Sequence, residues 1–253
     1  MRLRKKVALI TGAGGPMGSA VAERFAQEGA SLILTDISGN RLGQAVETAS
    51  AALHPEAKLF SQRASVLVRE EAKAVVEAGE AEVGPIDILI NIVGGIRSAQ
   101  LFESFLTMSE ERWDATFDLN LKGNFHLIQL VAPGMLERRY GKIVNVSSII
   151  FAGAAGQVDY GAAKAAVASM TRSLALEFAP HINVNCISPA TIKTSVIDRL
   201  SPEEQEEWSG KTVLKRFGER AEIANAMLFL ASDESSYMTG EIMSVAGGVW
   251  PAL

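Results

Sequence analysis

Tyr160 and Lys164 stand four residues apart in Tyr160-Gly161-Ala162-Ala163-Lys164, inside a stretch with helical periodicity. Residues i and i+4 share one face of a helix, so phenol and ammonium can point into one cleft. A free phenol, with a pKa of about 10, holds its proton too tightly for efficient acid–base work at neutral pH. A lysine charge about 6 Å away, at an effective dielectric of about 20, favours phenolate by about 3 kcal/mol, or about two pKa units. The spacing therefore predicts a tyrosine acid–base whose pKa is drawn down by its lysine. An ordinary amphipathic helix face also produces Tyr-x-x-x-Lys, so the pair acquires a function only from its surroundings.

Those surroundings begin at Thr11-Gly12-Ala13-Gly14-Gly15-Pro16-Met17-Gly18, between a short apolar run and a helical segment. Glycines there let the backbone turn sharply and approach a pyrophosphate, and the helix N-terminus offers N–H groups and positive dipole to the anion. The general spacing G-x-G-x-x-G fails, because Met17 takes the last place. Asp36 closes the next apolar run, 18 residues after Gly18. A carboxylate at that place accepts from the adenine ribose hydroxyls and repels a 2′-phosphate. As a structural residue alone, it would cap the helix that follows. No Arg or Lys lies between Thr11 and Val21 or between Asp36 and Asn40, so nothing local attracts that phosphate, and NAD is favoured over NADP.

The elements that must hold these groups show in the hydrophobic pattern. Runs at Val7–Ile10, Leu32–Leu34, Ile86–Ile90, Ile143–Val146 and Ile182–Ile187 read as strands buried on both faces. Helical segments are expected at about 17–28, 40–52, 69–83, 110–137, 158–179 and 220–232. The alternation predicts a single α/β domain over residues 1–253, a doubly wound parallel sheet with helices on both faces. A last strand and apolar tail run from Ile242 to Trp250. Residues 191–218 break the alternation with a polar, charged stretch, where a substrate-binding loop would be inserted.

Bulk composition excludes several other functions. The chain has 253 residues, 48% of them hydrophobic, and a net charge of −5, which disfavours a nucleic-acid partner. The basic lead-in Arg2, Arg4, Lys5 and Lys6 precedes an apolar run too short for a signal peptide, and no apolar stretch has the length of a membrane span. A cytoplasmic protein is expected. The single cysteine, Cys186, reads as a core thiol, and His54, His126 and His181 are too scattered for a metal site.

The ordered set Thr11-Gly12…Gly18, Asp36, Asn91-Ile92-Val93-Gly94, Asn120, Ser147-Ser148, Tyr160-x-x-x-Lys164 and Pro189-Ala190-x-Ile192-x-Thr194 resembles the short-chain dehydrogenase/reductase family. The resemblance runs from about residue 5 to 249 and points to the branch that includes 3-oxoacyl-carrier-protein reductases. It implies a Rossmann-like fold and an oxidoreductase that moves a hydride between NAD and a secondary alcohol or ketone. Tyr160 would be the general acid–base, and Lys164 would bind the nicotinamide ribose. Asn120 would hold a water linking Lys164 to solvent. Ser148 would bond the substrate oxygen. Matching from the strand selects Ser148 and matching back from Tyr160 selects Ser147, but strand alternation allows only one to face the substrate.

The resemblance also implies cofactor contacts at Gly12, Gly15, Met17, Gly18, Asp36, Ile37, Ser65, Val66, Asn91, Val93, Gly94, Tyr160, Lys164, Pro189, Ile192 and Thr194, and substrate contacts at Ser148, Ile150, Gln157 and Tyr160. Gly95, Ile96 and the 195–215 segment would complete the pocket, with Arg97 and Arg199 as candidate charges. The chain departs from the family at Pro16, Ile92-Val93, Ser65 and Ala190, all places that touch the cofactor. Pro16 fits the first turn of a helix, where its missing N–H costs little. An NADPH-linked 3-oxoacyl-carrier-protein reductase and a weakly active dinucleotide sensor are the alternative functions. The resemblance, with apolar residues around more than one face of the two long helices, implies a homotetramer.

Overall fold

The computed structural model describes residues 1–98, 100–194, 197 and 200–249. Arg199 and Trp250 fall outside the described residues. Seven parallel strands form one sheet in the order β3-β2-β1-β4-β5-β6-β7. They are β1 Val7–Thr11, β2 Ser31–Asp36, β3 Leu59–Arg63, β4 Ile88–Asn91, β5 Gly141–Val146, β6 Ile182–Pro189 and β7 Ile242–Val245. This is the doubly wound, Rossmann-like single domain expected from the alternating runs.

Period-two alternation divides the core. In β1, Ala8 and Ile10 pack with Val21, Phe25, Leu228 and Ala231 on one face of the sheet. Val7 and Leu9 pack with Val75, Leu127, Val131 and Met135 on the other. The first face carries α1 (Pro16–Gln27), α2 (Gly39–Ala51) and α8 (Arg220–Ala231). The second carries α3 (Arg69–Val83), α5 (Gly123–Glu137) and α6 (Val158–Phe178). Burying both faces explains why the strands read as continuous apolar runs.

Three elements differ from the sequence expectation. β3 is a half-exposed edge strand whose run, Leu59-Phe60-Ser61-Gln62-Arg63, lacks the apolar density of the others. The expected 110–137 helix is α4 (Glu110–Phe117), a π-helical turn (Asp118–Lys122) and α5. The polar 191–218 stretch contains α7 (Pro202–Gly210), started by a capping box in which Ser201 and Glu204 satisfy each other's backbone N–H. The signature Ser-Pro-Glu-Glu was visible in the sequence, but the helix has no buried residue and so no apolar stripe.

Strand order reverses at β1, which has β2 on one side and β4 on the other, and ligand crevices open at such a switch point beyond the carboxyl ends of the strands. The two loops leaving β1 and β4 meet there. Thr11 Oγ1 accepts from the Ile92 N–H at 3.0 Å, and Gly12, at φ +61°, lies against Val93. The turn closes tightly on helix α1: a Cβ on Gly18 would stand 2.2 Å from the Gly12 carbonyl oxygen and 2.8 Å from Ala13 Cα. Gly18→Ala is therefore expected to lower stability by about 1–3 kcal/mol, because the obstruction is backbone rather than a movable side chain. Urea unfolding measures it, and a change below about 0.5 kcal/mol would mean that the turn relaxes freely.

Candidate active site

Helix α6 presents Tyr160 and Lys164 one turn apart, with the ammonium 5.7 Å from the centre of the phenol ring. Lys164 is buried, and its Nζ donates to the Val146 carbonyl at the end of β5 at 2.8 Å. Ser147 Oγ donates to the Lys164 carbonyl at 2.8 Å, so this neighbour is spent on joining β5 to α6. Ser148 lines the cavity together with Tyr160 and caps a short 3-10 turn by accepting from the Ile150 N–H at 3.3 Å. The two adjacent serines thus divide into one structural and one cavity-facing hydroxyl, as alternation requires.

Electrostatics differ from the sequence expectation. In the protein alone, burial raises the Tyr160 phenol above its ordinary value, and the contact with Ser148 opposes this only in part. Burial also pulls the Lys164 ammonium down to about 8. Desolvation, which disfavours either charged form, outweighs the expected pull of the ammonium on the phenol. The phenol therefore carries its proton at neutral pH. Cys186, behind Lys164, is a core thiol pushed up to about 12 by burial.

Asn120 sits on the π-helical turn. Its amide donates to the carbonyls of Gly95 at 3.0 Å and Thr116 at 2.8 Å, while Oδ1 accepts from the Gly95 N–H at 2.9 Å. Both amide hydrogens are used on the protein. This amide thus clamps the loop after β4, a use of the side chain that the expected water relay did not include. The clamp is close-fitting, because a Cβ on Gly94 would stand 2.7 Å from Asn120 Oδ1 and 2.9 Å from Lys164 Nζ. Asn91, expected at the cofactor, turns its side chain into the sheet instead. Its amide donates to Asn145 at 3.0 Å, and Asn145 donates on to Thr171 at 3.0 Å.

The residues present fit a dinucleotide. Helix α1 starts at Pro16 after Gly15, with no side-chain cap, which leaves its first turn available to a pyrophosphate. Asp36 is buried at the end of β2, accepting from the Gly14 N–H at 3.1 Å and the Ser38 N–H at 2.8 Å. Each carboxylate oxygen keeps a lone pair for a ribose hydroxyl. Ile37 is half exposed beside it. The expectation that no cation lies near is overturned, because Arg41, one turn into α2, reaches within 3.5 Å of Asp36 and packs against Gly14. Val66 packs against Gly123 in the core, and the Ser65 N–H is held by Glu71 at 2.8 Å.

A cavity of about 590 Å³ opens over Tyr160. Met17, Gly94, Ser148, Ile150, Gln157, Lys164, Pro189, Ile192 and Thr194 line it among the expected residues, with Gly95 and Ile96. Gly12, Gly15, Asp36, Ile37, Ser65, Val66, Asn91 and Val93 lie outside that lining. Leu101, Phe102, Trp208 and Lys211 were not foreseen individually. Phe102 and Trp208 meet edge to face across the mouth, 6.1 Å between ring centres. The sequence held no signal for that contact, because the two rings are brought together only by the return of α7 over the sheet.

A family model described as "Enoyl-(Acyl carrier protein) reductase" matches residues 12–250. The chain belongs to the short-chain dehydrogenase/reductase family. By membership this chain is an oxidoreductase of a family that binds a nicotinamide cofactor. It is 42% identical to the 3-oxoacyl-[acyl-carrier-protein] reductase of Thermotoga maritima, over 98% of this chain and 99% of that protein. It is 37% identical to the (2S)-[(R)-hydroxy(phenyl)methyl]succinyl-CoA dehydrogenase subunit BbsD of Thauera aromatica, over 98% of each. Among solved structures it resembles a 7α-hydroxysteroid dehydrogenase complexed with NADH and 7-oxo glycochenodeoxycholic acid, with a TM-score of 0.90 and 31% identity over 98% of this chain and 95% of that one. A levodione reductase matches with a TM-score of 0.91 and 31% identity, over 97% and 98% of the two chains. Among the described residues, no helix is long and apolar enough to cross a membrane.

Because the folded pKa of Lys164 lies below its ordinary 10.5, the unfolded chain holds that proton more tightly, and stability from this group rises as pH climbs from 8 to 10.5. Lys164→Met lacks this titration. Its stability relative to the parent protein is expected to be greater at pH 7 than at pH 10 by about 2–3 kcal/mol. Parallel pH dependence of urea unfolding in the two proteins would show that the ammonium is not desolvated.

Proposed function

We propose that this chain interconverts a 3-oxoacyl thioester and its 3-hydroxyacyl counterpart with NAD(H), as a soluble cytoplasmic enzyme. The observation that carries the reading is the half-buried Tyr160, with the buried Ser148 and Lys164, lining an apolar cavity next to a glycine turn that fits a dinucleotide. Thioester substrates are supported by the names of two relatives, a 3-oxoacyl-carrier-protein reductase and a dehydrogenase of a hydroxyl-bearing succinyl-CoA. They favour this substrate class over an unspecified secondary alcohol.

In the reducing direction, Tyr160 donates its proton to the carbonyl oxygen. The Ser148 hydroxyl steadies the developing charge on the same oxygen. Lys164 holds the nicotinamide ribose and keeps positive charge beside the phenolate, which then recovers a proton from solvent. A bound nicotinamide supplies or accepts the hydride. Asn120 holds the Gly94–Gly95 wall in place, and the 191–218 segment, through Trp208, Lys211 and Thr212, covers the substrate.

Asp36 supports NAD as the cofactor. Arg41 supports a second reading, an NADPH-linked reductase, because its guanidinium lies where a 2′-phosphate would need a cation. A homotetramer is supported by Phe125 on α5 and Leu176 on α6, large apolar side chains that remain exposed.

Spectrophotometric turnover of acetoacetyl-coenzyme A with NADH and NADPH tests the proposal. Tyr160→Phe is expected to lower kcat by about 10²–10⁴-fold with the fold intact. Retained turnover in that variant would end the acid–base assignment. Asp36→Ser, leaving Arg41 in place, is expected to raise kcat/KM for NADPH relative to NADH by about a hundredfold, the effect of removing one charge repulsion of about 3 kcal/mol. No shift in that ratio would mean that Asp36 does not face the ribose.

A further inference from the structure

A second polar group lies beside the catalytic one. Asp159, the residue before Tyr160, is almost wholly buried. It accepts from Thr116 Oγ1 at 2.9 Å and Arg112 Nε at 3.1 Å. The same guanidinium reaches in the other direction to Ser98 Oγ at 3.2 Å, the Gln100 carbonyl at 3.3 Å and Glu103 at 2.6 Å. Those three residues belong to the segment that carries Leu101 and Phe102 into the cavity wall. The near end of the segment is held through Asn120, which donates to Thr116 and to Gly95. The polar chain thus closes on itself, from Gly95 through Asn120, Thr116, Asp159 and Arg112 to Ser98 and Glu103.

We propose that Arg112 and Asp159 are a positioning pair that fixes the wall of the substrate cavity formed by Gly95–Ser98 and Gln100–Glu103 against the helix bearing Tyr160. The pair is poorly arranged for stability alone. Arg112 Nη2 and Asp159 Oδ1 are buried without a hydrogen-bond partner among the described residues, and a buried ion pair with orphaned atoms is a weak stabiliser. Its geometry, by contrast, is specific. A planar fork spans three partners on the wall and one on the catalytic helix, which an ammonium cannot reproduce. Neither residue lines the cavity itself, so the pair acts through the wall and its effect falls on how the substrate body is seated.

This inference rests on the hydride-transfer reading for its kinetic consequence, but not for its structural one, so the test has two readouts. Two variants are compared with the parent protein. Arg112→Lys keeps the charge and loses the fork. The double variant Arg112→Met/Asp159→Asn removes both charges, so no buried carboxylate is left alone. Hydrogen exchange in the 95–103 peptide is expected to be about tenfold faster in the double variant, with Arg112→Lys in between. KM for acetoacetyl-coenzyme A is expected to rise about tenfold while kcat and the Kd for NADH stay within about twofold. Unchanged exchange in both variants overturns the proposal whatever the activity. A rise in the Kd for NADH equal to the rise in KM also overturns it, since the pair would then support the whole site rather than its substrate wall. Absence of turnover in the parent protein counts against the hydride reading, and the exchange result then decides the pair's role by itself.

Discussion

A lysine ammonium buried at the end of a parallel sheet is the constraint around which this site is arranged. Lys164 meets the Val146 carbonyl, and no carboxylate forms an ion pair with it among the described residues. Desolvation therefore acts on it with little compensation and brings its pKa to about 8. A group held at such a cost is useful only if something else needs its charge, and the neighbouring phenol and a bound ribose are the two candidates. Its position is also what requires the residues around it to be small. Gly94 has no room for a Cβ beside Nζ, and Ser147 is short enough to bind the Lys164 carbonyl from the adjoining strand.

The sheet supplies the precision. β5 delivers Ser147 and Ser148 to opposite sides, while β4 ends in the loop that Asn120 clamps. Strand reversal at β1 places the glycine turn and that loop face to face. Tyr160 and Lys164 thus sit on a helix packed against the sheet, whereas Leu101, Phe102 and Trp208 of the cavity lining come from longer connections between strands.

The Arg112–Asp159 pair and the Asn120 clamp join these two levels. One holds the outer end of the β4 loop and the other its inner end, and Thr116 is shared between them. The segment after β4 and helix α6 are thereby joined through hydrogen bonds rather than through apolar contact, which tolerates sliding more readily.

What the sequence by itself determined was whatever depends on short-range pattern. Apolar runs buried on both faces announce a parallel sheet. An i,i+4 pair shares a helix face, a glycine turn before a helix can receive a phosphate, and adjacent serines on a strand must part. The ordered set of motifs was enough to name the family. Even in helix α7, invisible to periodicity because it buries nothing, Ser201 and Glu204 left a local signature of its start.

Only the tertiary structure decided the rest, because each remaining point depends on groups far apart in the chain or on how deeply a charge is buried. Arg41 nears Asp36 through the turn between β2 and α2 and through its packing on Gly14, which is 27 residues away in the chain. The phenol rises instead of falling because burial acts on Tyr160 as well as on Lys164, and spacing says nothing of burial. Asn91 turns inward because Asn145, 54 residues away, waits across the next strand. Phe102 meets Trp208 only because the chain returns over the cavity after crossing the sheet. Sequence spacing fixes direction along one element; solvation and contact between elements are properties of the assembled fold.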